Sequence, residues 1–130
     1  MDFNPDEFLT GSSLRPYKIW RRGERRSRTK VCEDSGFSLD VSDVDGQLSG
    51  QVKDAIVFLQ KHQSEIARLA GFPGVEGRTL DFGYHNRNVF VQCDYLPPEL
   101  LVLAGSLGVG IELSLYPAPS DKSKEVNDGT

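Results

Sequence analysis

"RTLDFGYHNRNVFVQC", residues 78–93, decides how this chain is to be folded. Leu80 and Phe82 alternate with Thr79 and Asp81, while Val89, Val91 and Cys93 alternate with Asn88, Phe90 and Gln92. Between the two runs lies the polar stretch "YHNRN". Successive side chains of a strand point to opposite faces, so alternation on both sides of a polar turn predicts a β-hairpin.

Upstream of it, Val52, Ala55, Ile56, Leu59, Ile66, Leu69 and Ala70 recur at helical spacing, and Gly71 and Pro73 close the segment. A long amphipathic helix follows, with Ser64 and Glu65 predicting a break near His62. Before the helix, "SGFSLDVSD" places Phe37, Leu39 and Val41 on one face of a half-buried strand. After the hairpin, "YLPPELLVLAGSLG" has prolines suited to a helix start and glycines to its end. "VGIELSLY" then alternates again, with Val109, Ile111, Leu113 and Leu115 inward.

Counted from Ser35, the order is strand, helix, strand, strand, helix, strand. That pattern predicts an α+β fold of the ferredoxin-like, split βαβ kind: a four-stranded antiparallel sheet with two helices on one face. In front of this core, residues 35–116, stands an N-terminal helix and strand extension, residues 1–34. Asn4 caps its helix, Pro5 opens it, Gly11 ends it, and "RPYKIWRR" supplies a short strand. Residues 1–116 are thus expected to form a single domain, and the Pro-, Ser- and Lys-rich residues 117–130 a disordered tail.

Parity then assigns the open face of the sheet. It should carry Ser38 and Asp40, then Asn88, Phe90 and Gln92, then Thr79 and Asp81, with Glu112, Ser114 and Tyr116 on the last strand. Phe90 and Tyr116 are candidate stacking platforms for bases, but Asp40, Asp81 and Glu112 would repel a phosphate backbone. The face reads as a poor RNA platform.

Charge is concentrated elsewhere. Residues 15–30 hold eight Lys or Arg against one acid, Glu24, and taking this +7 from the net −4 leaves −11 on the rest of the chain. Two readings compete for this segment. In the first, Tyr17, Ile19 and Trp20 pack a strand or flap on the domain, while Arg21, Arg22, Arg25, Arg26 and Arg28 stay solvated or pair with the acidic body. In the second, they form an exposed arm that grips nucleic acid or an acidic protein. The first is favoured, since basic runs are usually solvated or self-paired.

No catalytic constellation emerges, so a non-catalytic role is expected. His62 lies beside the apolar helical stripe and His85 in a polar turn, neither with an obvious partner. "DVSDVDG" has the acids of a calcium loop at Asp43 and Asp45, but Val41 and Val52 occupy the positions that would need ligands. Solvated sheet acids such as Asp40, Asp81 and Glu112 normally bind nothing in particular, and neither metal nor cofactor is expected. Cys32 and Cys93 read as free thiols in a reducing compartment. With no leader or membrane-length apolar run, a cytoplasmic location is expected.

The stretch "DFNPDEFLTGSSLRPYKIWRRGE", residues 2–24, together with "CDYLPPELLVLAGSLGVGIELSLY", residues 93–116, resembles a family of small bacterial domains of unknown function. The resemblance spans most of residues 2–116. Its motifs are structural and imply no active site. Two function classes follow: a protein-interaction domain of inhibitor or immunity type, steered by its acidic surface, and nucleic-acid binding through residues 15–30. A homodimer through an open sheet face or edge is also allowed.

Overall fold

The computed structural model describes residues 2–118; Met1 and residues 119–130, which include most of the expected disordered tail, lie outside them. The described residues form an α+β fold, with four helices and two small sheets of two strands each. The first sheet pairs β1, Lys18–Trp20, with β2, Gly36–Ser38, in antiparallel register. The second pairs β3, Thr79–His85, with β4, Gly110–Tyr116, in parallel.

Helix α1, Pro5–Leu9, forms as its cap residues require: the Asn4 side chain accepts a hydrogen bond from the Glu7 N–H at 3.2 Å, and Pro5 occupies the first turn. The long apolar stripe divides at His62 into α2, Leu48–Lys61, and α3, Gln63–Ala70. Helix α4, Pro98–Ser106, starts on its prolines and connects β3 to β4. Because parallel strands need a crossover, this helix makes β3–α4–β4 a βαβ unit. Helix α2 packs on both β3 and α4, so the two helices share one face of the second sheet.

One core holds these elements together. Leu80, Phe82 and Tyr84 of β3 point into it with Val52, Ala55 and Leu59 of α2 and Leu100 and Ala104 of α4. Phe37, Leu39 and Val41 pack against it, but the expected strand is short: β2 ends at Ser38, and Leu39 and Val41 lie in the irregular chain after it. An aromatic cluster seals the N-terminal end: Phe8 stacks on Phe37 at 5.8 Å and meets Phe72 edge-on at 5.3 Å, while Phe3 touches all three. The Arg68 guanidinium lies 3.9 Å over the Phe8 ring and donates to the Phe8 carbonyl at 2.7 Å.

The expected hairpin, and with it the four-stranded antiparallel ferredoxin-like sheet, does not form among the described residues. After His85 the chain leaves the sheet, and Val89, Val91 and Cys93 are exposed rather than inward. Two pairings explain this. A seven-residue parallel ladder with β4 takes one edge of β3, and Gly46 bridges Tyr84 in parallel on the other. The alternation of residues 88–93 is therefore spent in a loop, because strand propensity acts only where a half-buried edge is offered. Leu113 and Leu115, expected inward, are 40% and 46% exposed. No helix among the described residues is long and apolar enough to cross a membrane.

Candidate functional site

The basic segment folds back on itself. Gly23 and Glu24 exchange backbone hydrogen bonds with Cys32, Arg26 N–H donates to the Lys30 carbonyl, and Arg25 bridges Val31, so residues 23–32 form a small irregular hairpin. Its base is tied to the body. Arg21 makes two 2.7 Å hydrogen bonds to Asp6 and also meets Glu24, and Arg22 reaches Asp2 at 2.8 Å. The Trp20 ring lies across Gly36, where any side chain would collide with it, and donates from its indole N–H to Asp34. Arg25, Arg26, Arg28 and Lys30 at the tip have no ion-pair partner among the described residues.

Between the two sheets opens a cleft of about 790 Å³. Residues 38–44 form one wall and residues 74–83 the other, with Ala55, Leu59, Ile66 and Leu69 reaching into it from the helices. Both walls offer backbone. Gly110 N–H donates to the Arg78 carbonyl and Asn86 N–H to the Tyr116 carbonyl, so even-numbered residues of this stretch turn their polar backbone toward β4. Thr79 and Asp81 consequently turn theirs toward the cleft. Neither these groups nor the backbone of residues 39–43 has a hydrogen-bond partner among the described residues.

Gln51 closes one end of this gap. Its amide nitrogen donates to the Val44 carbonyl at 3.0 Å and to the Gly83 carbonyl at 2.7 Å, which ties the two walls together. The other side-chain atom, Oε1, is buried without a partner, although the residue lines the cleft and is only 9% exposed. Nearby, Ser42 donates to Asp54 at 2.6 Å and accepts from the Val44 N–H, anchoring the first wall to α2. Six carboxylates, on Asp2, Glu33, Asp34, Asp40, Glu76 and Asp81, line the cleft against Arg22 and Arg78. Asp2 is already neutralised by Arg22.

The loop of residues 86–97 is a second feature. Arg87 N–H donates to Gln92 Oε1 at 2.8 Å, Gln92 donates to Asp94 at 3.1 Å, and the buried Tyr84 hydroxyl donates to Asp94 at 3.0 Å. Arg87 completes the base through Asp94 and the Cys93 carbonyl. Burial raises the Tyr84 pKa, and the facing Asp94 carboxylate adds to it. Burial also works to raise that of Asp94, but hydrogen bonds from Gln92 and Tyr84 and the charge of Arg87 outweigh it and hold the carboxyl below its usual value. Above this fixed base Phe90 stands wholly exposed, with Val89 and Val91 more than half exposed beside it.

This chain belongs to the family described as domain of unknown function DUF4279, whose model matches residues 1–118. No curated protein and no solved structure matches it. The family assignment agrees with the resemblance carried by residues 2–24 and 93–116, which the structure shows to be the α1–β1 segment and the α4–β4 segment with the loop residues before it.

The candidate residues read from the sequence of this family member are dispersed by the fold. Asp81, Glu112, Ser114 and Tyr116 do share the outer face of the second sheet: Asp81 registers with Glu112, and Ser114 donates to Asp81 at 2.7 Å. Asp40 lies across the cleft wall instead, and Phe90 and Gln92 lie in the loop, so no single open face unites them. Arg21 and Arg22 pair with the body, whereas Arg25 and Arg26 project at the hairpin tip. Among the described residues no group of three or more His, Cys, Asp or Glu is arranged to hold a metal ion. Gln51 is not among the sequence candidates, though its signal is present: a polar residue sits on the stripe of Leu48, Val52, Ala55 and Leu59.

Acid should loosen this assembly. Hydrogen bonds from Arg68 and then Ser12 lower the Glu65 pKa, and Arg21 does the same for Asp6. A carboxyl depressed in the folded state contributes stability that is complete above its unfolded value, about 4 for these groups, and is lost as pH falls through the folded value. Glu65→Gln should cost about 1 kcal/mol at neutral pH. Urea titrations from pH 7 down to the acid limb should show the variant's deficit shrinking toward zero; a deficit independent of pH would contradict the assignment.

Proposed function

We propose that this chain is a non-catalytic protein-binding domain of the cytoplasm, of inhibitor or immunity type, which docks through the loop of residues 86–97. The observation carrying this reading is the apolar tip: Phe90 is wholly exposed beside Val89 and Val91, on a base fixed by the Tyr84, Asp94, Arg87 and Gln92 network. A rigid aromatic anchor is what binding hot spots are made of, because little conformational entropy is lost when a partner's pocket closes on it. The acidic remainder of the chain would steer it toward a basic partner.

The test is a complex reconstituted from the purified chain and a partner identified by affinity capture. Phe90→Ala is expected to weaken that complex about thirtyfold, an effect of about 2 kcal/mol. Its urea midpoint should stay within error of the parent, since the ring is not packed in the fold. An unchanged dissociation constant for Phe90→Ala would reject the loop as the docking element.

Nucleic-acid binding is supported by a separate observation, the cluster of Arg25, Arg26, Arg28 and Lys30 without ion-pair partners at the hairpin tip among the described residues. Its mark is affinity for a single-stranded oligonucleotide that falls steeply with salt and disappears when these four become Ala.

A further inference from the structure

We infer that the cleft between the two sheets is a strand-shaped gap, which accepts an extended peptide segment with alternating apolar and basic residues. This rests on the reading of the chain as a protein-binding domain, but uses a surface separate from the Phe90 loop. Peptides are commonly taken up as an added strand, with main-chain hydrogen bonds giving affinity and alternate side chains giving selectivity. Such recognition needs an edge with free backbone groups and an apolar floor.

Both are present. Thr79 and Asp81 present N–H and C=O groups to the cleft on one side, and residues 39–43 offer theirs on the other. Among the described residues the two walls pair only at Gly46 and Tyr84, beyond the tie made by Gln51. Residues 79–83 offer length for a segment of about five residues, at roughly 3.3 Å each. Gln51 holds the closed end, donating to the Val44 and Gly83 carbonyls, with its Oε1 buried and without a hydrogen-bond partner among the described residues.

Charge selects among possible peptides. Glu33, Asp40 and Glu76 line the gap without ion-pair partners among the described residues, and Asp81 is hydrogen-bonded only to neutral Ser114. Alternation puts every second side chain on the same face of a strand. Apolar residues would turn toward the partly buried Val41 and Leu69, while basic residues would face the acidic rim.

The probe is the acetylated and amidated hexapeptide Lys-Val-Lys-Val-Lys-Val, titrated calorimetrically into the full chain, with amide hydrogen exchange read at residues 39–43, Thr79 and Asp81. One-to-one binding is expected, with slowed exchange at Thr79 and Asp81. N-methylation of alternate peptide amides, which leaves charge unchanged, should reduce affinity at least about tenfold by removing backbone donors. Thr79→Pro, which deletes an N–H at the first position of β3 that faces the gap, should weaken binding similarly.

Three outcomes would overturn the inference. Protection of Thr79 and Asp81 in the peptide-free protein would mean that residues 39–43 close the sheet themselves. Equal binding of the N-methylated peptide would reduce the interaction to charge attraction. Absence of binding by the alternating peptide would leave the gap without its occupant. None of these results alters the Phe90→Ala comparison, so failure of the gap and failure of the loop are separable.

Discussion

Replacing Phe8 with alanine is expected to remove about 4 kcal/mol of stability, the largest loss anticipated for a single side chain in this domain. Phe8 is fully buried and sits where α1, β2, α3 and the turn containing Phe72 converge. Its truncation empties a cavity walled by Phe3, Phe37 and Phe72, and it takes away the face on which Arg68 rests. The three surrounding rings belong to three separate segments, so the hole cannot be filled by a small shift of one of them. Urea unfolding followed by circular dichroism would measure the effect. A loss below about 1 kcal/mol would show that α1 contributes little to the cooperative core.

Gly74→Ala should cost about 3 kcal/mol for a different reason. Gly74 has φ of +84°, and a β-carbon placed there would lie 2.6 Å from the Asp2 carbonyl carbon and 2.7 Å from Phe3 Cα. Those atoms are backbone and cannot rotate aside, so the clash would lever Phe3 away from the aromatic cluster. Two glycines calibrate the result. Gly11 has φ of +78° but open space around its position, and alanine there should cost only about 1 kcal/mol. Gly71 has φ of −99° and open space, and alanine there should be tolerated within about 0.5 kcal/mol. If Gly74→Ala and Gly11→Ala proved equal, the contact of residue 74 with the N-terminal backbone would not contribute to stability.

The helices were legible in the sequence because their signals are local. The Asn4 cap, the break at His62 and the proline start of α4 all depend on residues within a turn or two of one another. The face shared by Asp81, Glu112, Ser114 and Tyr116 was also legible, since parity within a strand does not depend on which strand lies beside it. Strand partnership was not. Residues 78–93 carry the pattern of a hairpin, yet β3 pairs with a strand beginning at Gly110, and only the rest of the fold decides between a near partner and a distant one. The cleft was hidden for the same reason: it exists because two segments separated by α2 and α3 fail to pair along most of their length. Phe90 is exposed in a loop and not on a sheet face, because the residues around it follow the loop network and not the alternation of a strand.

The N-terminal aromatic cluster has a bearing on synthesis. Phe3 and Phe8 find their burial against Phe72 and Arg68, the latter sixty positions later in the chain. At ribosomal rates of about 5–20 residues per second, the first phenylalanines wait roughly 3–12 s before the surface that covers them has been made. During that interval the nascent chain presents "FNPDEF" as sticky, uncovered sequence, and helix α1 is too short to persist unaided. The aromatic cluster can thus close only after α3 and the turn containing Phe72 have been made, which makes it a late-forming part of the domain.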